Sequence, residues 1–215
     1  MPTTTTRSVE RALKLLTVVC DHPGINLTKA SEQAELSPSS ALRLLHTLEE
    51  LEFVRRDRAG KFDVGPQLLR LGFKALGDNT LRNRCRPTML ELAERTGESV
   101  YLSIKQHHQV LYLAVVNGTH AIQHRSWEGQ TIPLNSTAVG AVLLNQHNDE
   151  KYTVVTSGVE ADVTAIATPL QVRGKTIAAL SMLVPTYRIT PEKEAELGQL
   201  LHSTVQELSQ KFENI

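Results

Sequence analysis

Cysteine is scarce in this sequence: Cys20 and Cys85 are the only two in 215 residues. They stand far apart with no second thiol near either, which excludes a disulfide framework and a zinc knuckle. Both are expected to be small buried thiols. No apolar run approaches the ~20 residues that cross a bilayer. The N-terminus, MPTTTTRSVE, has no apolar core of a signal peptide. No membrane partner is expected, and the chain reads as cytoplasmic. Net charge is also missing, with 23 Lys and Arg against 23 Asp and Glu. That removes any bulk electrostatic argument for a polyanionic partner, so such an argument must rest on local placement. The sequence has no Gly-x-Ser-x-Gly elbow, phosphate loop or dinucleotide fingerprint. No catalytic residue and no cofactor is expected. Eight histidines are present, but none has the setting of a metal ligand. His120 and His124 are i, i+4 in a strand-like run, where that spacing does not bring side chains together as on a helix. His107 and His108 sit at a turn without a carboxylate cluster.

Hydrophobic residues make up 40% of the chain, enough for buried cores, and the length allows one or two domains at roughly 150 residues each. Charge is slightly uneven: residues 1–77 carry 11 Lys and Arg against 9 Asp and Glu, and the remainder 12 against 14. In the first part, helical spacing of Val9, Ala12, Leu13, Leu16, Val19 and Cys20 predicts a helix over 9–22 capped by Ser8. A short helix over 29–35 with Thr28 as cap follows. A third helix is expected over about 38–51, with Ser37 as cap and Pro38 at the first helical position. Ala41, Leu44, Leu45, Leu48 and Leu51 fall on one face of that helix. Ser39, Arg43, His46 and Glu50 fall on the other, flanked by Ser40 and Thr47. Taken alone, this polar stripe fits a solvated helix face better than a base-reading one, although arginine suits bidentate contact with guanine. The next segment, Phe53–Val64, reads as a hairpin turning at Asp57-Arg58-Ala59-Gly60. It gathers Arg55, Arg56, Arg58 and Lys61 within seven residues. Three helices followed by a basic two-stranded hairpin is the order of a winged helix-turn-helix. There the third helix enters the major groove and the wing follows phosphate.

The runs Ser8-Val9-Glu10-Arg11-Ala12-Leu13, Ser39-Ser40-Ala41-Leu42-Arg43-Leu44-Leu45-His46-Thr47-Leu48 and Val64-Gly65-Pro66-Gln67-Leu68-Leu69-Arg70-Leu71-Gly72 resemble the IclR family of bacterial transcriptional regulators. The resemblance continues through the C-terminal half. It implies a winged helix-turn-helix at 1–65, a linker helix at 66–78 and a GAF-like effector-binding and oligomerisation domain at 79–215, an α+β chain overall. It also implies homodimers, often paired into tetramers, on palindromic double-stranded operators at the nucleoid. Thr28, Ser37, Ser39, Ser40, Arg43, His46, Thr47, Arg55, Arg56, Arg58 and Lys61 are the expected DNA-binding residues. Two positions depart from the family, where glycine is usual before and after the recognition helix: they are Glu35 and Glu52, and a non-glycine residue at positive φ is strained.

Beyond Gly77, the patterning predicts a helix over 80–96 containing Pro87. Strands are expected at 99–106, 109–116, 121–126, 163–172 and 176–185. A helix over about 137–147 with Ser136 as cap and a closing helix from Pro191 complete the domain. The resemblance favours an effector pocket at Thr137-Ala138-Val139, where a helix N-terminus favours an anion such as the carboxylate of a small organic acid. Its expected members are Leu134, Ser136, Thr137, Ala138, Val139, Glu160, Thr168, Ser181 and Met182. The bland alternative is close helix-to-sheet packing. The connection 147–161 is shorter than is usual in the family. The expected function is a repressor responsive to such an acid. The alternative is an oligomeric DNA-binding or interaction protein without effector sensing.

Overall fold

The computed structural model describes residues 6–121, 127–146 and 151–213. The strand expected at 121–126, with His124, lies outside them apart from Ala121. So does the start of the 147–161 connection. The chain divides into two units, Met1–Asn79 and Thr80–Ile215.

The first unit runs α1 (Arg7–Asp21), α2 (Leu27–Gln33), α3 (Pro38–Glu50), β1 (Val54–Arg56), β2 (Phe62–Val64) and α4 (Pro66–Gly77). Leu15, Val19, Ala30, Leu45, Val54 and Phe62 meet in one core, so three helices and the hairpin close on a single apolar centre. Two helix starts differ from expectation. The cap position of α1 is Thr6 rather than Ser8, and its side chain makes no capping bond. For α2 the cap is Asn26, whose Oδ1 accepts the Lys29 N–H at 2.9 Å. Thr28 therefore sits inside the first turn. Leu51 does not join the core: α3 has already ended, and the side chain is 57% exposed.

Both anomalous glutamates take the left-handed conformation, Glu35 at φ 57° and Glu52 at φ 59°. Each closes a helix with a Schellman pair. After α2, Leu36 N–H donates to Ser31 C=O and Glu35 N–H to Glu32 C=O. After α3, Phe53 N–H donates to Leu48 C=O and Glu52 N–H to Glu49 C=O. These bonds satisfy carbonyls that the helix end would otherwise leave open, and they hold a backbone that glycine would adopt freely.

In the second unit come α5 (Thr80–Thr96), β3 (Ser99–Gln106), β4 (Gln109–Val116), β5 (Thr131–Pro133), α6 (Ala138–Leu143), β6 (Thr153–Thr156), β7 (Val163–Val172), β8 (Lys175–Pro185) and α7 (Pro191–Glu213). The strands form one antiparallel sheet in the order β5-β4-β3-β8-β7-β6. Alternation sends Val100, Leu102, Ile166, Leu180 and Met182 to one face, under Met89 and Leu92 of α5 and Leu201 and Val205 of α7. Tyr101, Tyr112, Ala167 and Ala179 go to the other, where Ala138, Val139 and Val142 of α6 pack. Pro87 lies within α5 without ending it. Cys85 is fully buried among these helices, and burial pushes its thiol up to about 12. Cys20 is only half-buried, against expectation.

Candidate DNA interface and ligand cavity

Ser37 Oγ accepts the Ser40 N–H at 3.3 Å and donates to Ser40 Oγ at 2.9 Å, with Ser39 Oγ 3.3 Å away. The serines thus organise the first turn of α3. Farther along, Ser39, Arg43, His46 and Thr47 are exposed, and Ser40 is half-buried. Thr47 Oγ1 donates to the Arg43 carbonyl at 3.2 Å, so its hydroxyl is engaged locally. His46 Nδ1 lies 3.8 Å from Glu49.

The wing turn is ordered by Asp57. Its Oδ1 accepts N–H groups from both Ala59 and Lys61 at 2.9 Å, and Gly60 takes φ 78°. An aspartate opening a four-residue turn is the available signal, since its side chain can bond the backbone two residues on. The four wing cations differ in setting. Arg55 stands 3.7 Å from Asp63 on the partner strand. The Arg56 guanidinium lies 5.4 Å from the centre of the Phe62 ring. Arg58 and Lys61 are exposed at the turn. Thr28 is exposed on α2.

On the α6 side of the sheet, Thr137, Ala138, Val139, Glu160 and Ser181 come together around a narrow cavity of about 20 Å³. Tyr112, Trp127, Ile132, Val155, Val163 and Leu183 complete most of the wall. The Tyr112 and Trp127 rings are 5.7 Å apart and tilted by 49°. No local motif in the sequence marks either ring. Tyr112 is a strand residue whose face is fixed by register, and Trp127 arrives from beyond the β4 strand. Burial pushes the Tyr112 phenol up, so it stays protonated at neutral pH. Ser181 Oγ is fully buried and has no hydrogen-bond partner among the described residues.

Leu134 and Ser136 do not line this cavity. They border a neighbouring, more open hollow that shares Thr137 with it. Thr168 and Met182 are on the opposite face of the sheet. Adjacent strand residues point to opposite sides, so Ser181 and Met182 cannot serve one pocket. Thr168 Oγ1 instead donates to the Lys151 carbonyl at 2.9 Å and lies 3.4 Å from His202 Nδ1. The helix cap is Thr137, not Ser136. Its Oγ1 accepts the Gly140 N–H at 3.0 Å, while Ser136 is left-handed at φ 63°. A Cβ on Gly140 would come within 1.7 Å of the Leu134 carbonyl oxygen, which explains glycine there. Since α6 has only six residues and its first turn is already capped, it offers no anion site.

A winged helix-turn-helix in one unit and a cavity-bearing antiparallel sheet in the other define a DNA-binding protein with a separate α+β domain. Residues 8–58 match the family model described as the IclR helix-turn-helix domain, and residues 73–160 match that of the bacterial transcriptional regulator IclR C-terminal region. The chain belongs to the IclR family. It is 24% identical to the HTH-type transcriptional regulator KdgR of Escherichia coli (strain K12), over 94% of this chain and 91% of that one. An IclR transcriptional regulator from Alicyclobacillus acidocaldarius superimposes with a TM-score of 0.83 at 21% identity, covering 95% of this chain and 98% of that one. An IclR homologue from Microbacterium hydrocarbonoxydans, solved with 4-hydroxybenzoate, gives 0.77 at 20% identity, covering 95% and 99%. At such identities the solved structures share the fold, including the GAF-like sheet domain.

Proposed function

We propose that this IclR-family transcriptional regulator is a repressor that holds a palindromic operator at the nucleoid as a homodimer or tetramer. It releases that operator when a small organic molecule enters the cavity. Residues 1–65 bind DNA, 66–78 link, and 79–215 sense and oligomerise. The observation that carries this reading is the pairing of an exposed Ser39-Arg43-His46 face on α3 with a basic wing folded onto the same core. The groove-facing helix supplies base contacts and the wing supplies phosphate contacts. An acid as effector has a parallel in the 4-hydroxybenzoate of the Microbacterium homologue.

Selection from a random duplex library at low salt tests the DNA-binding half. A recovered palindrome is expected, and Arg43→Ala should cost about 1–3 kcal/mol and relax preference at one base position. Recovery of no preferred sequence would sink the proposal.

A further inference from the structure

We propose that the open hollow beside α6 takes a small polyhydroxylated molecule of monosaccharide size. Asn135, Ser136 and Thr137 border it ahead of α6, Gln146 behind that helix, and Thr156 and Ser157 at the end of β6. It offers about 480 Å³, within the range of small-molecule sites. The narrow cavity offers about 20 Å³. Binding in the hollow requires no occupant in that cavity, although Thr137 borders both.

The lining sets the chemistry. Ser157 Oγ donates to the Ala161 carbonyl. Thr137 Oγ1 donates to the Leu134 carbonyl at 3.3 Å and accepts the Gly140 N–H at 3.0 Å. Each hydroxyl has committed its one proton to the protein and keeps lone-pair capacity to accept from a ligand. The carboxamides of Asn135 and Gln146, both exposed, add donors as well as acceptors. A ligand that uses all of these must itself donate and accept at several points, as neighbouring hydroxyls do. A carboxylate accepts only. Leu134, Ala141 and Val155 supply apolar surface for the C–H face of such a molecule.

The backbone is preset in the same place. Among the described residues seven non-glycine positions are left-handed. Glu35, Glu52 and Asn145 follow helix ends, and His107 and Arg173 sit in two-residue hairpin turns. Ser136 at φ 63° and Ser157 at φ 58° do neither, and both border the hollow. A Cβ on Gly158 would come within 2.7 Å of the Ser136 carbonyl oxygen, so the two connections meet backbone to backbone. Strain of this kind collects at ligand sites, where the surrounding structure holds it.

D-xylose, ribitol and myo-inositol are titrated into the isotope-labelled full chain beside cyclohexanol and benzoate, with side-chain amide signals followed by NMR. At least one polyol should saturate at a concentration about tenfold or more below cyclohexanol and benzoate, moving the Asn135 and Gln146 carboxamide signals. Ala141→Leu, which fills the hollow, should abolish that response. Ser157→Gly should weaken the polyol by about threefold or more without lowering the unfolding temperature, because glycine takes the left-handed backbone freely. If cyclohexanol or benzoate saturates as readily, the polyhydroxylated class is wrong. If a polyol moves the indole signal of Trp127, the only tryptophan, and leaves the two carboxamides still, it sits in the narrow cavity and the hollow is not its site. If no polyol moves the carboxamides, or if Ser157→Gly and Ala141→Leu both leave the affinity unchanged, the proposal falls.

Discussion

Glu35 and Glu52 hold the same left-handed backbone, but their side chains differ in what they add. Glu35 forms an ion pair with Lys14 across the first unit, and that hydrogen bond holds its carboxyl below the usual range. Glu52 contributes through its backbone: its carbonyl accepts the Gln67 N–H at 3.0 Å and so fixes the start of α4. Glycine keeps those backbone bonds and removes the left-handed penalty, while adding freedom to the unfolded chain. The balance predicts that Glu52→Gly stabilises the first unit by roughly 0.5–1 kcal/mol. Glu35→Gly should gain less, because the Lys14 pair is lost with it. Thermal unfolding of the two variants beside the parent checks the order.

A second residue-scale prediction concerns acid. Burial lowers the His202 imidazole below its usual value, and the nearby Lys151 charge lowers it further, against an opposing hydrogen bond that the ring N–H donates to the Lys151 backbone. A histidine depressed in the folded state binds its proton more readily when unfolded. Its stabilising contribution is therefore complete above the unfolded value near 6.5 and is lost as pH falls through the folded value. His202→Gln should flatten the fall in unfolding temperature between about pH 7 and pH 5. An unchanged slope would show that other groups govern acid stability.

Among the elements, the wing illustrates how one carboxylate organises a turn that carries exposed cations. Asp57→Ala removes both side-chain bonds to the turn and should loosen the wing by about 1–2 kcal/mol. The same geometry ranks the cations. Arg58 and Lys61 are exposed at the tip, whereas Arg55 shares its charge with Asp63. Replacing Arg58 and Lys61 together should lower the slope of log affinity against log salt by up to about 2. Arg55→Ala should lower it less. A slope unchanged by the double substitution would remove the wing from the phosphate contacts.

The elements also show where sequence stops informing. The bounds of β3, β4 and β7 were legible because eight to ten residues of apolar, β-branched and aromatic chain lie between clear turns. The edge strands β5 and β6, of three and four residues, carry too short a pattern to register. The 137–143 region was misread at its cap because Ser136 and Thr137 both suit a cap by type, and only the backbone angle at Ser136 separates them. Thr168 and Met182 were assigned to the cavity on motif grounds, and strand alternation places them beneath it. The recognition helix and wing were legible because their chemistry is local. The cavity was legible only in part, since Tyr112 reaches it through pairing across the sheet and Trp127 from the segment between β4 and β5.

For the whole molecule, the zero net charge and the exposed face of α4 bear on assembly. Leu69, Phe73 and Leu76 share an i, i+4, i+7 stripe, and Phe73 is 74% exposed. Of this helix, Leu68 packs on the core of the first unit. An uncovered stripe of this kind is costly in water and is normal for a helix that meets a partner. A monomer presents one α3 and one wing; a palindrome offers two half-sites about 10 base pairs apart. Joining two copies makes the second half-site an intramolecular event, which raises affinity without any new contact to DNA. The double substitution Leu69→Lys, Phe73→Glu should therefore lower the sedimentation coefficient from that of a dimer toward a monomer. It should weaken a palindromic duplex by 10²-fold or more, and weaken a single half-site little. Should the double variant still sediment as a dimer, α4 is not the surface that joins the copies. Should it become monomeric and bind the palindrome undiminished, the operator is read by one copy at a time.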